Sequence, residues 1–275
     1  MRDDPADQPQ AETAGGRAAR IVAIANQKGG VGKTTTTVNL ATAVAACRQR
    51  VLVMDMDPQG NAGTGLGAPA AAAGRGAYGM IIGNRAAAGE ILSSRVPGLD
   101  LISSSVELAG AEVELAEARN REYRLRHMLA AVRGQYDYIL IDCPPALGFL
   151  TLNALCAADA VLVPLQCEYY ALEGLSHLMR TLERVRRRLN PALTIQGIVL
   201  TMYDRRNNLS AMVAEDVRKH LGDRVYQTMI PRNVRISEAP SHGQPVLLYD
   251  IQSTGAQAYV RLAGEFLARN GRPAS

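Results

Sequence analysis

Short apolar runs and helical stretches alternate along this chain. Arg20-Ile-Val-Ala-Ile-Ala-Asn26 is almost wholly apolar and breaks into a glycine-rich turn, the pattern of a buried strand. Val51-Leu-Val-Met-Asp55, Ala160-Val-Leu-Val-Pro164 and Thr194–Thr201 have the same character. So does Tyr136-Asp-Tyr-Ile-Leu-Ile-Asp142, which Pro144-Pro145 closes. Leu99–Ile102 is a shorter candidate strand and Val225–Ile230 a candidate edge strand. Between these runs, Thr34–Arg48, Val106–Arg133, Gly174–Leu189, Asn208–Leu221 and Gly255–Arg269 read as helices, and Asn190-Pro191 stops the third. Residues 60–89 are rich in Gly and Ala with weak periodicity, which predicts loop and short helix. Strands that are apolar on both faces, alternating with helices, predict an α/β fold with a doubly wound, mostly parallel sheet covered on both faces. With no internal repeat and no linker after residue 20, a single domain over 20–275 is expected.

Residues 1–19 (MRDDPADQPQAETAGGRAA) are polar and rich in Ala, Gly and Pro, and are expected to be a disordered tail. They lack the apolar core of a signal peptide. No window offers the roughly 18 uninterrupted apolar residues of a membrane span. With 275 residues, 47% hydrophobic and 20% charged, the chain has the balance of a soluble protein with a sizeable core. The four cysteines show no C-x-x-C spacing and read as small buried hydrophobes in a reducing, cytoplasmic compartment.

The net charge of +4 is unevenly placed. From Arg180 to Pro240 there are twelve Arg or Lys against six Asp or Glu, a local surplus larger than that of the whole chain. Such concentration is the footprint of a phosphate-backbone binder. Glu183-Arg-Val-Arg-Arg-Arg188, taken alone, reads more simply as a solvated helix face.

Asn26-Gln-Lys-Gly-Gly-Val-Gly-Lys-Thr-Thr-Thr-Thr37 carries the most specific chemistry. Gly29, Gly30 and Gly32 follow a strand and precede a helix, the context of a phosphate-binding loop. Without Cβ atoms the backbone wraps closely, and the N–H groups of Gly29, Gly30, Val31, Gly32 and Thr35 can form an anion nest at a helix N-terminus. Lys33 should reach the β- and γ-phosphates and the Thr34 hydroxyl should ligate Mg²⁺. The stretch departs from G-x-x-x-x-G-K-[ST], because Gln27 stands where the first glycine is required and Lys28 follows it. The chain has three lysines against 27 arginines, and two of the three lie in this loop. A compact point charge is wanted there, not a planar fork. Ile139-Leu-Ile-Asp142 has the form of a Walker B strand, so Asp142 would hold Mg²⁺ at the sheet's carboxyl edge. Period-two alternation places Asp55 and Asp57 on one side, one to orient the attacking water and the other to support the metal shell.

Six blocks in order now resemble a known family: KGGVGKTTTT (28–37), VMDMDPQGN (53–61), ILIDCPP (139–145), VPLQCEYYALEG (163–174), LTMYD (200–204) and IPRNVRISEAPSHGQP (230–245). Together they resemble the ParA/Soj group of chromosome- and plasmid-partitioning ATPases, of the deviant Walker A P-loop class, over about residues 20 to 270. The resemblance implies that Lys28 is the signature lysine, reaching across to ATP bound by a second subunit. It implies that Lys28, Lys33 and Asp57 act in hydrolysis, Asp57 by orienting water. Pro231, Arg232 and Asn233 would contact the adenine, with Tyr203 and Asp204 nearby. It further implies an ATP-dependent homodimer that binds double-stranded DNA without sequence preference and lies on the nucleoid. Arg205, Arg206, Arg218, Arg232 and Arg235 are the candidate contacts, Arg235 foremost. A ParB-like centromere-binding partner would stimulate hydrolysis and release. A chromosomal cargo is favoured over a plasmid, because the short tail is like that of the small chromosomal members.

Three rivals have weaker support. A MinD-like membrane switch needs a basic, bulky amphipathic C-terminal helix. Residues 255–275 offer three arginines, one Phe, and apolar positions (Tyr259, Leu262, Phe266) that read as core, so no membrane partner is expected. An iron–sulfur reductase subunit needs bridging cysteines, and Cys143 has no suitably placed second. A repressor would need a larger N-terminal DNA-binding module than 19 residues.

Overall fold

The computed structural model describes residues 18–271. In chain order the elements are β1 (Arg20–Ile24), α1 (Lys33–Ala46), β2 (Val51–Asp55), α2 (Asn61–Gly65), α3 (Gly76–Ile81), β3 (Leu92–Ser93), β4 (Leu99–Ile102), α4 (Ala111–Ala116) and α5 (Arg124–Ala130). They continue with β5 (Tyr138–Asp142), α6 (Phe149–Ala157), β6 (Ala160–Gln166), α7 (Ala171–Arg188), β7 (Thr194–Thr201), α8 (Asn208–Leu221), α9 (Val234–Glu238), α10 (Val246–Tyr249) and α11 (Thr254–Arg269). The strands form one sheet in the order β3-β4-β2-β5-β1-β6-β7. Every neighbouring pair is parallel except β3–β4.

Because the strands are apolar on both sides, each feeds two cores. In β1, Ile21 and Ala23 face a layer built with Leu129, Leu155, Leu178 and Leu182, whereas Val22 and Ile24 face Leu40, Val44, Leu262 and Phe266. Helices α5, α6 and α7 thus cover one face, and α1 and α11 the other. Among the described residues no helix is long and apolar enough to cross a membrane.

Three expectations are corrected. Ala19, assigned to the tail, is fully buried, and its N–H and C=O bond Arg133 at 2.9 Å each, so the folded body begins before Arg20. Residues 1–17 lie outside the described residues. The expected helix over Val106–Arg133 is broken into a 3₁₀ turn (Val106–Ala109), α4 and α5. Asn120 takes a left-handed conformation (φ 53°) that ends helical continuity, and Val106 and Val113 face solvent. Val225–Ile230 is not a strand. Tyr226 and Ile230 donate to Ile198 and Leu200 of β7, but the intervening N–H groups of Gln227 and Thr228 donate to the Glu265 carboxylate (2.8 and 3.0 Å). A side chain on α11 therefore takes the donors that a ladder would have used. Helix α6 was not legible beforehand. Its N-terminus is capped from a distance, by the Glu112 carboxylate accepting from Phe149 and Leu150.

Candidate nucleotide site

The phosphate loop is anchored at both ends. Asn26 is buried and ties the loop to β6 through Nδ2 to the Pro164 carbonyl (2.7 Å), while its Oδ1 accepts from the Lys28 N–H (3.0 Å). Gly30 (φ 73°) and Gly32 (φ 88°) adopt the left-handed conformation that lets the chain turn directly into α1. A Cβ on Gly29 or Gly30 would meet no protein atom within 4 Å, so the backbone here faces open space that a ligand can approach. Thr201, at the end of β7, donates to the Val31 carbonyl (2.9 Å) and closes the loop from the other side. Lys33 is buried and its Nζ donates to the Lys28 carbonyl (2.9 Å). Lys28 stands at the rim, its side chain 47% exposed and ion-paired with Glu168.

Strand order brings the acids together. β5 lies between β2 and β1, so Asp142 is in register with both Asp55 and Ile24. Asp142 is fully buried, and its two oxygens accept from Thr34 Oγ1 (2.6 Å) and Thr37 Oγ1 (3.0 Å). Asp55, also fully buried, accepts backbone N–H groups from Asp57 (3.1 Å), Ala62 (3.1 Å) and Gly63 (3.2 Å). Its oxygens are thus occupied in shaping the loop that presents Asp57. Among the described residues the Asp57 carboxylate accepts only from the Gln59 N–H (3.0 Å), and its charge is felt at both Lys33 and Asp142.

Burial, and then the charge of Asp142, push the Asp55 carboxyl up to about 8. Burial pushes Asp142 up to about 7 against the opposing pull of the two threonine hydroxyls and Lys33. Burial likewise lowers Lys33, against the attraction of Asp142. Two buried carboxylates so placed call for a further cation. Among the described residues, no group of three or more His, Cys, Asp or Glu could hold a metal by itself. Mg²⁺ does not need one, because it keeps several waters and takes phosphate oxygens beside one or two protein oxygens. The Thr34 hydroxyl against the Asp142 carboxylate fits that donor set.

A pH dependence follows. Both carboxyls are raised in the fold above their unfolded range near 4, so the folded state holds more protons than the unfolded one between that range and about 8. Stability without ligand should therefore fall as pH rises from about 5 to 8.5. Mg²⁺ with nucleotide favours the ionised carboxylates, so the rise in Tm it brings should grow over the same interval. Thermal unfolding at several pH values, with and without ligand, measures both, and a ligand-free Tm that climbs through this interval contradicts the argument.

Beside the loop lies a cleft of about 290 Å³ lined by Gly32, Thr35, Thr201, Met202, Pro231, Arg232, Asn233, Ile236 and Tyr259. It is contiguous with the phosphate loop and suits a nucleoside. Pro231, Arg232 and Asn233, the candidate adenine contacts, line it. Tyr203 and Asp204 are not: Tyr203 packs against the core and bonds Ile230 and Arg232 through its backbone, and Asp204 accepts from the Arg206 N–H. Thr201 and Met202 (φ 51°) take their place. Both lie within the LTMYD block, and Tyr203 stays beside the cleft through its backbone bond to Arg232. Tyr259, fully buried on α11, had no local signal at all.

The candidate DNA-contacting arginines fall into two sets. Arg205, Arg206 and Arg232 are exposed, and their side chains have no partner among the described residues. Arg218 donates to the Gln227 carbonyl (3.2 Å), and Arg235 pairs with Glu238 (3.0 Å) and Asp250 (3.4 Å). Exposed ion pairs are weak and screened by solvent, so a phosphate could displace these partners of Arg235.

Comparison with known proteins agrees with this geometry. Residues 19–195 match the AAA_31 family, an AAA domain. The chain is 58% identical over 252 residues to the chromosome partitioning protein ParA of Caulobacter vibrioides, covering 91% of this chain and 94% of that protein. It is 53% identical to the sporulation initiation inhibitor protein Soj of Bacillus subtilis, covering 92% of this chain and 99% of that one. A cobyrinic acid a,c-diamide synthase of Mycobacterium smegmatis, solved with bound ADP and magnesium, superposes with a TM-score of 0.80 at 36% identity, covering 92% of this chain and 97% of that one.

Proposed function

The chain belongs to the ParA/Soj family of chromosome-partitioning ATPases, and from that membership we propose that it is an ATP-operated DNA-binding switch built on one ATPase domain. It binds ATP with Mg²⁺, as its 36% identical structural relative binds ADP and magnesium. The observation that carries the reading is the pairing of Thr34 with Asp142 inside the loop and the half-exposed Lys28 at its rim.

In this reading the N–H groups of residues 29–35 hold the phosphates, and Lys33 swings from the Lys28 carbonyl to the β- and γ-phosphates. Thr34 and Asp142 hold Mg²⁺, with Asp55 supporting them through the loop that it braces. The metal, when bound, offsets phosphate charge during phosphoryl transfer. Asp57 orients the attacking water from its braced loop. Lys28 leaves Glu168 to contact ATP in a second copy of the chain, so closure of the dimer depends on the γ-phosphate. Arg205, Arg206 and Arg232 then meet DNA phosphates, and a ParB-like partner speeds hydrolysis and release. A cytoplasmic, nucleoid-bound protein follows from this cycle. The membrane-switch alternative gains nothing from α11, whose Tyr259, Leu262 and Phe266 are core residues against α1. The amidation named for the 36% identical synthase is not carried over, because the 58% and 53% identical relatives are named for partitioning and sporulation control.

Sedimentation with non-specific duplex DNA at moderate salt tests the reading. Binding is expected with ATP and not with ADP or without nucleotide. Equal binding in all three states would show that nucleotide does not gate the DNA surface. No binding in any state would remove DNA as the partner.

A further inference from the structure

The run Glu183–Arg188 read as an ordinary solvated face in sequence, but its surroundings say more. α7 buries Leu175, Leu178, Leu182 and Val185 and turns Arg180, Arg184, Arg187 and Arg188 to solvent at helical spacing. Arg186 shares a cleft of about 280 Å³ with Arg224, beyond the start of β7. None of these six exposed guanidiniums has an ion pair or hydrogen bond among the described residues. Glu183, in the same cleft, pairs with neither Arg186 nor Arg224.

Stability does not account for this arrangement. Cations in the last turn of a helix gain from its dipole, which covers Arg186, Arg187 and Arg188. It does not cover Arg180, Arg184 or Arg224. Arg180–Arg184 and Arg184–Arg188 are like-charge pairs at i,i+4, which weaken a helix, and Glu183 is the one acid within this stretch. A cluster of cations with no ion pair among the described residues points to an anionic partner.

Its shape and position indicate which partner. From Arg180 to Arg188 the helix rises about 12 Å, a length over which duplex DNA presents about seven phosphates. α7 carries no Phe, Tyr or Trp beyond its N-cap Tyr170, and none within Arg180–Arg188, which favours phosphate contact over base stacking. β7 runs from Thr194, beside this ridge, to Thr201, beside the phosphate loop, about 23 Å away. Arg205 and Arg206 lie just past that far end, and α8 returns from there with Arg218 and Lys219 to the turn that holds Arg224. We propose that the arginine ridge of α7, with Arg224, is a second contact for the phosphate backbone of duplex DNA, extending the footprint along the β7 edge of the sheet. This rests on the proposed DNA binding of the ATP state.

The test is equilibrium binding of the full chain, with ATP and Mg²⁺, to a short duplex across a salt series. It compares the wild type with a triple variant, Arg184→Ala with Arg187→Ala and Arg188→Ala, and with the matching triple of Arg→Lys changes. These positions lie far from the phosphate loop, so basal ATP turnover should be unchanged. Loss of three phosphate contacts should lower the slope of log K against log salt by about 2.7, and weaken binding on the order of 100-fold near 0.1 M salt. The lysine triple should keep both slope and affinity near the wild type. If the wild type binds and the alanine triple matches it in affinity and slope, the ridge serves something other than DNA, such as an acidic protein, and the inference falls alone. Equal loss in both triples at an unchanged slope would mean a packing effect and also overturn it. If the wild type binds no DNA in any nucleotide state, this inference and the switch reading fail together.

Discussion

Asp57→Ala should lower ATP turnover by about 10²–10⁴-fold while leaving ATP binding intact, so that the protein accumulates as an ATP-bound dimer. Positioned proton acceptors and water-orienting groups contribute about that much to a reaction. The variant should keep its fold because the carboxylate that braces the loop belongs to Asp55, whose bonds to residues 57, 62 and 63 are all to backbone N–H groups. The Asp57 carboxylate accepts only from the Gln59 N–H among the described residues. Single-turnover hydrolysis, read beside nucleotide affinity, separates the two steps. Turnover at the wild-type rate would exclude Asp57 from the chemistry, and a loss of ATP binding would make it a binding residue instead.

Lys28→Ala should bind nucleotide and fail to dimerise. Removing one partner of a desolvated charge pair at an interface costs about 2–5 kcal/mol. A two-fold sandwich contains two copies, so dimerisation should weaken by about a thousandfold or more. Nucleotide affinity of the monomer should change little, because Lys28 faces the rim and Glu168, not the interior of the loop. Only its backbone meets Lys33, and alanine keeps that carbonyl. Light scattering in ATP measures the assembly, and a normal ATP-dependent dimer would remove Lys28 from the interface. Lys28→Arg is informative beside it. A broad planar fork in place of a point charge should restore little if the pocket is shaped for an ammonium.

The elements that repeated one local pattern were legible in the chain. All five apolar runs became strands that share both cores, Leu99–Ile102 became β4, and Thr34–Arg48 became α1 within a residue or two at each end. The failures had long-range causes. Glu265, far along on α11, decides that residues 227 and 228 do not pair with β7. Glu112 decides where α6 starts, and a left-handed Asn120 divides what periodicity read as one helix. None of these partners leaves a mark in the window it controls.

The same division holds at the site. The sequence by itself determined the phosphate loop, since glycines and lysines at that spacing between a strand and a helix need only local geometry to form an anion nest. It determined also that Asp55 and Asp142 would stand at strand ends, with Asp57 two residues past the first. Only the tertiary structure decided what each acid does. Inserting β5 between β1 and β2, against chain order, sets Asp142 in register with Asp55, and the two hydroxyls of α1 reach the first while the backbone of residues 57–63 claims the second. Charge partners followed the same rule: Lys28 is held by Glu168, Arg235 by Glu238 and Asp250, and the arginines of α7 by nothing among the described residues. Composition counts charges, but a charge's effect depends on the groups within a few ångströms, and those are set by which strands the fold lays side by side.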